Sequence, residues 1–399
     1  MSRKISASYP FDETIDRTCS NSLKWVYGKK RLQPRQAAAD PLPMWVADMD
    51  FRVAPVIEES MARLLRHGVF GYGGVPDSYI EAVTAWQEKR HGWQAAPESL
   101  VLSPGVVVML NMIVQALTKP GDSVLVQPPV YLHFHEDVIN NGRRIAWAPL
   151  RLEDDRYVFD AGLFEQAITA DTRLFILCNP HNPTGNVWSR EDLQHMGDIC
   201  RRHNVLVVSD EIHADFVTNP ACKHIPFASL GEDYAQNSII CTSAGKAFNI
   251  AGLQCSNHFI ADRTLRGTIT RHLAQCGLTA VNVMGMTATE AAYREGEGWL
   301  EAFLAHIRRN QEFFATAINQ AGLPMRVLPM DSLYLAWLDC RQMGLEAAKL
   351  NDFMLTKARL WLDDGRKFGR AGHGFMRINL ACTRKIAEEA VTRLQAALS

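Results

Sequence analysis

The chain has 399 residues, more than one ordinary domain, and 47% of them are hydrophobic, ample for a sizeable core. Its 42 Lys and Arg nearly balance 43 Asp and Glu, so the formal charge of −1 gives no general reason to bind nucleic acid or a membrane. A small molecule or a second copy of the chain is the expected partner. Nine cysteines, an odd number with no Cys-x-x-Cys pair, argue against a disulfide framework and a zinc site and fit a reducing cytoplasm. Met1 to Pro10 carries basic residues but no apolar segment, and no uninterrupted apolar span of about 20 residues occurs.

The first 45 or so residues are weakly patterned and are expected to wrap over another surface. From about 54 to 285, helical patterns alternate with short apolar strands, the signature of an α/β domain with a mostly parallel sheet, assigned to 50–289. Leu100–Ser103, Ser123–Gln127, Arg173–Cys178, Val205–Ser209 and Ser238–Thr242 read as strands. Ser189, with Asp192 in the capping-box position, opens a helix to about His203. After about 290 the texture changes. Leu300, Phe303, Leu304, Ile307, Phe314 and Ile318 keep helical spacing up to a stop at Gly322 and Pro324. Strand-like runs follow at Tyr334–Leu338, Arg359–Leu362 and Phe375–Leu380, then a helix from about Thr383 with Ile386, Ala390, Leu394 and Ala397 on one face. Residues 1–49 and 290–399 are therefore expected to form a smaller α+β domain.

In open α/β sheets, ligands bind beyond the carboxyl ends of strands, and unusual residues recur there. Gly105 opens an apolar helix whose free amides suit a phosphate, a tight strand-to-helix turn being the other reading. Tyr131, after Pro128 and Pro129, can lie flat on a planar cofactor or be a core aromatic. Cys178–Gly185 holds two Asn-Pro steps, which force a rigid loop able to aim the Asn182 amide. Asp210 ends an apolar strand, where an acid is expensive unless paired; a pyridinium nitrogen is a suitable partner, and a helix cap is the alternative. Lys246 stands among small residues just after the Ser238–Thr242 run. An acid and a lysine at the ends of successive strands suggest pyridoxal phosphate, whose ring nitrogen needs a carboxylate and whose aldehyde needs an amine. His133 and His135 look only faintly like a metal cluster and are expected near the substrate pocket; no metal is expected. Arg366, Lys367 and Arg370 read as a solvated loop.

Asn182-Pro-Thr-Gly, Asp210-Glu-Ile-His and Ser243-Ala-Gly-Lys246, in that order, resemble the class I/II aminotransferase superfamily of pyridoxal-phosphate fold type I, over nearly the whole chain. Trp45–Phe51, His67–Tyr72, Tyr334–Asp339 and Gly374–Asn379 narrow the resemblance to the MalY/PatB branch, carbon-sulfur β-lyases of the cystathionine β-lyase type. The resemblance implies that Lys246 forms a Schiff base with pyridoxal 5′-phosphate and later moves the substrate Cα proton. It implies that Asp210 holds the ring nitrogen, Asn182 the 3′ oxygen, and Tyr131 the ring face. The phosphate is expected on the amides of Gly105, Val106 and Val107, with a hydroxyl from Ser243. Tyr72 is expected to reach the phosphate of a neighbouring subunit, making the active unit a homodimer. Arg377 would grip the substrate carboxylate, helped by backbone near Ala47, with Trp45, His133 and Tyr334 lining the pocket.

Two positions depart from the superfamily. His213 stands where a Tyr is usual, leaving the second contact to the 3′ oxygen open between this residue and none. Gln254 stands where Arg or Lys often meets the phosphate. The implied reaction is elimination of a thiol from L-cystathionine or a related S-substituted cysteine, with homocysteine, pyruvate and ammonia as products. Two alternatives stay open: an aminotransferase using a 2-oxo acid, and a regulatory binding protein built on this fold.

Overall fold

The computed structural model describes residues 9–398; the basic start, residues 1–8, lies outside them. Seven strands form the larger sheet: β1 (Leu100–Ser103), β2 (Ser123–Val126), β3 (Arg144–Trp147), β4 (Thr172–Cys178), β5 (Leu206–Asp210), β6 (Ser238–Thr242) and β7 (Ser256–Phe259). Their spatial order is β1-β7-β6-β5-β4-β2-β3. β7 runs antiparallel to both neighbours, and the pairs among β3, β2, β4, β5 and β6 are parallel.

Alternate side chains of the central strands enter two different cores. Val124, Ile176, Val208 and Ile239 meet the helices Val106–Leu117 and Arg263–Gln275, whereas Leu125, Phe175, Val207 and Ile240 share a core with Leu193 and Met196 of the helix Arg190–Arg202. Helices on both faces are why these strands read as continuous apolar runs. Ser189 caps Arg190–Arg202 as expected: its Oγ accepts from the Asp192 N–H at 3.0 Å, and the Asp192 carboxylate accepts from the Ser189 N–H at 3.3 Å. Neither β3 nor β7 is among the expected strands. β3 is a four-residue edge strand exposed at its two ends, Arg144 and Trp147, and β7 is polar in sequence yet wholly buried.

The smaller sheet holds β8 (Arg326–Val327), β9 (Leu335–Asp339), β10 (Asp363–Asp364) and β11 (Phe375–Asn379) in the antiparallel order β8-β9-β11-β10. It packs against Glu297–Asn319 and Arg384–Leu398. The last helix buries Ala387, Ala390, Val391 and Leu394; Ile386 and Ala397 are only partly covered. Residues 9–45 wrap as expected: Phe11 packs edge-on against Phe51, Trp299 and Phe303, and Leu42–Pro43 pairs in parallel with Leu360–Trp361. Among the described residues no helix is long and apolar enough to cross a membrane.

Candidate active site

The register of the large sheet puts three strand ends side by side. Cys178 is level with Asp210, and Asp210 with Cys241, so the Asn179–Gly185 loop, Asp210 and the Ser243–Lys246 turn emerge together. Asp210 is buried, and one carboxylate oxygen accepts from the Ile212 N–H at 3.1 Å. Burial pushes its pKa up to about 7, with Glu211 adding to the shift and the Ile212 bond and Lys246 opposing it. Lys246 lies on the short helix Ala244–Ala247, and its Nζ donates to the carbonyl of Ala47 at 2.6 Å. Burial and then the Arg377 charge bring its pKa down to about 8, against Asp48 and Asp210. The site therefore holds a carboxyl and an amine that both change protonation near neutrality.

Arg377, on β11, is buried and held on three sides. Its guanidinium donates to Asn182 Oδ1 at 3.0 Å, to the Trp45 carbonyl at 3.2 Å and to Asp363 at 2.5 Å, and it lies over the Phe368 ring. Nε has no partner. Asp363 also pairs with Lys367 at 2.7 Å. Arg366 and Arg370 are exposed and Lys367 half-buried, as a solvated stretch requires, but the backbone there is anchored: Gly365–Phe368 is a 3-10 turn, Arg366 pairs with Asp364, and Phe368 is buried under Arg377. Paired carboxylates on β10, invisible in a run of charged residues, draw the loop inward.

Tyr334 donates its hydroxyl to the same Ala47 carbonyl at 3.0 Å and packs edge-on against Phe216. Trp45 stacks on Trp361 with ring centroids 4.6 Å apart. Burial pushes the Tyr131 phenol up, Arg377 opposing and Asp210 and Asp363 adding to it, so this side chain lies among the same charges. His213 is buried, and burial, Lys246 and Arg377 all hold its ring well below the usual histidine range, hence neutral; its Nδ1 has no partner. His133 pairs with Asp137 at 3.5 Å, and His135 packs edge-on against Trp147.

Gly105 precedes the helix Val106–Leu117, which no side chain caps, so the first amides are free. A Cβ at Gly105 would meet no atom within 4 Å, leaving open space beside those amides. Ser243 Oγ accepts from the Gly245 N–H and donates to the Cys255 carbonyl at 2.7 Å. Gln254 is exposed, with a left-handed φ of 49°. Tyr72 is fully exposed, in an irregular segment with Val69, Phe70 and Val75 also exposed.

Several contributors had no signal in the sequence reading. The loop carrying Ala47 is held by Asn249, which bonds Met49 and Phe51, and by Asn379, whose Nδ2 donates to Val46 and Asp48 carbonyls at 2.6 Å each. Lys24, 1% exposed, pairs with Asp50 at 2.6 Å, and Arg17 reaches Asp48 and Asp50 at 2.8 Å. Gly185 takes φ +74°, and a Cβ there would come within 2.6 Å of Met330, so only glycine lets the Asn182 loop approach the 330–333 segment.

A neutral-range lysine, a buried carboxyl with one weak donor, a buried guanidinium and, at another strand end, a free helix start are the parts of a pyridoxal-phosphate enzyme, and the family model for aminotransferase class I and II matches residues 44–394. The chain belongs to that family. Cystathionine beta-lyase PatB from Bacillus subtilis is 44% identical over 391 residues, 98% of this chain and 100% of that protein. Protein MalY from Escherichia coli is 31% identical, over 97% of this chain and 98% of that one. The crystal structure of the PLP-bound C-S lyase from Staphylococcus hominis superposes with a TM-score of 0.91 at 32% identity, covering 98% of both chains. The protein is thus a carbon-sulfur lyase of the MalY/PatB type, with pyridoxal 5′-phosphate as its cofactor. The residues present fit that group: the raised Asp210 carboxyl wants a cation, and the space at Gly105 adjoins unsatisfied amides.

Proposed function

We propose that the protein catalyses α,β-elimination on L-cystathionine or a related S-substituted L-cysteine, consuming one water and releasing a thiol, pyruvate and ammonia. From cystathionine the thiol is homocysteine. The observation that carries this is the convergence of an amine brought down to about pH 8 and a buried guanidinium, Lys246 and Arg377, on the Ala47 loop. Bound here, pyridoxal 5′-phosphate supplies a carbonyl for amines and a ring that takes up electron density.

Lys246, as the neutral amine, takes the proton from the substrate Cα, and Arg377 fixes the α-carboxylate so that this bond faces Nζ. Its clamp on Asn182, Trp45 and Asp363 keeps the planar fork from rotating. Asp210 would hold the ring nitrogen protonated, Asn182 and His213 would serve the 3′ oxygen, and Tyr131 would lie against the ring. The amides of Gly105, Val106 and Val107 would hold the phosphate, and Ser243 would join them by turning its hydroxyl from the Cys255 carbonyl. Tyr72 of a second copy reaches the same phosphate, which makes the unit a homodimer; its full exposure with Val69 and Phe70 supports a face meant for a partner. Trp45, His133 and Tyr334 line the side-chain pocket.

The test is to incubate holoenzyme with L-cystathionine, with and without a 2-oxo acid, and assay pyruvate, ammonia and thiol together. Equal release of all three without the 2-oxo acid supports elimination. Turnover that requires the 2-oxo acid and yields no thiol makes the protein an aminotransferase.

A further inference from the structure

Beneath the turn at Gly105 lie three polar side chains that the proposed reaction does not use. Ser103, Ser256 and His258 are each no more than 1% exposed. Ser103 on β1 is level with Ser256 on β7, and His258 follows two residues later, so the pleat puts all three on one face. Ser103 Oγ, Ser256 Oγ and His258 Nε2 form a triangle with every side 2.9 Å. Polar groups buried this completely are expensive unless their hydrogen bonds are complete.

The proton positions follow from the acceptors around the triangle. Ser256 Oγ donates to the Ser103 carbonyl at 3.0 Å, and Ser103 Oγ donates to the Gly105 carbonyl at 3.0 Å. With both hydroxyl protons so committed, the two oxygens offer only lone pairs to the imidazole, and Nε2 carries its hydrogen. Nδ1 is then bare and has no partner. Burial takes the ring down to about 3, so it stays neutral.

The Gly105 carbonyl also accepts the Met109 N–H at 3.0 Å. Two donors thus fix the direction of that C=O, and in a planar trans peptide the N–H of the next residue points the opposite way. That N–H belongs to Val106, the first residue of the uncapped helix. We infer that His258 is a positioning residue for the anion-binding turn: by donating to Ser103 Oγ it commits that hydroxyl to the Gly105 carbonyl and so aims the Val106 N–H at the cofactor phosphate. This rests on the placement of the phosphate at Gly105–Val107. It matters more here because Gln254 brings no charge to the phosphate, which leaves amide direction as a larger share of the grip.

The experiment titrates apoprotein with pyridoxal 5′-phosphate and, separately, with pyridoxal, which lacks the phosphate, following cofactor absorbance. His258→Leu should weaken pyridoxal 5′-phosphate about tenfold, the worth of one buried hydrogen bond, and leave pyridoxal within about twofold. His258→Gln, which keeps an N–H donor, should recover most of the loss. Should His258→Leu fail to fold, Ser103→Ala replaces it and should show the same phosphate-selective loss. Equal losses for both ligands, an unchanged affinity, or no recovery with Gln would overturn the inference. Gly105→Val separates this from the underlying placement. If that variant keeps the wild-type preference for the phosphorylated ligand, the phosphate does not sit on this turn and both readings fall. If it loses the preference while His258→Leu keeps it, only the role of His258 is wrong.

Discussion

Lys246 and Tyr334 share one acceptor: Nζ of Lys246 and Oη of Tyr334 donate to the carbonyl of Ala47 at 2.6 and 3.0 Å. Lys246 follows a strand of the large sheet and Tyr334 precedes one of the small sheet, so a single peptide oxygen ties the two sheets together at the Lys246 amine. The ammonium form of Lys246 is the better donor to that oxygen, but burial and Arg377 work against it.

The first consequence is a pH profile for the apoprotein. Only the neutral amine attacks a carbonyl, so Schiff-base formation with pyridoxal should rise as pH passes through about 8, well below the 10.5 of an ordinary lysine. Arg377→Met removes a like charge and should move the midpoint up. Asp210→Asn removes an opposite charge and should move it down. Stopped-flow rates across pH check all three, and a wild-type midpoint near 10.5 would contradict the electrostatics.

Asp210→Asn should also split stability from cofactor binding. The folded carboxyl titrates near 7 rather than 3.8, so the native state keeps a proton that the unfolded chain releases. Stability of the apoprotein is then fully present below the unfolded value and lost as pH rises through the folded one. The amide has no such penalty. At pH 8 the Asn variant without cofactor should be more stable than wild type by on the order of 4 kcal/mol, the gap closing near pH 4. If Asp210 pairs with the ring nitrogen as proposed, the order should reverse with cofactor, because that nitrogen has lost its carboxylate. Melting curves with and without pyridoxal 5′-phosphate, against pH, decide it.

The clamp on Arg377 predicts a graded series. Arg377→Lys keeps the charge but loses the fork, and KM for the amino acid should rise about a hundredfold. Asp363→Asn leaves the Asn182 and Trp45 contacts and should raise KM about tenfold with a smaller change in kcat. Lys367, 41% exposed, should matter least. Steady-state kinetics of Lys367→Ala as poor as those of Asp363→Asn would show that the lysine, not the carboxylate, orders the site.

What the sequence made legible is what local pattern encodes. Central strands buried on both faces must be apolar and β-branched, so β2, β4, β5 and β6 stood out, and with them Asp210 and Lys246 at their ends. The Ser189 capping box likewise needs only four consecutive residues. β7 was hidden because its polar side chains find their partners more than a hundred positions away, Ser256 and His258 at Ser103 and Asn257 at Tyr79. Lys24 and Asp363 were hidden because their partners, Asp50 and Arg377, come beside them only in the fold. A buried charge looks like an exposed one until its partner is in place, and the partners of Arg377 come from three separate segments, at Trp45, Asn182 and Asp363–Phe368.

The partner role of Tyr72 can be tested by mixing. Tyr72→Phe and Lys246→Ala homodimers should each be weak or inactive. If Tyr72 serves the other subunit, a denatured and refolded equal mixture puts both lesions in one site of each hybrid and leaves the other intact. About a quarter of the wild-type activity should then return, as random pairing of a two-fold dimer requires. No recovery would place Tyr72 in its own subunit's site or outside both.

Because the oxygen that Lys246 and Tyr334 both contact is part of the main chain, no exchange of the Ala47 side chain can delete it. A survey of single substitutions would pass over it, and a comparison of related chains would find no fixed letter to mark it. What sets its position is the path of residues 44–50, stapled by Asn249, Asn379, Arg17 and Lys24. Losses at those four remote positions would look like damage to the scaffold, while their chemical meaning is the displacement of one atom beside the amine.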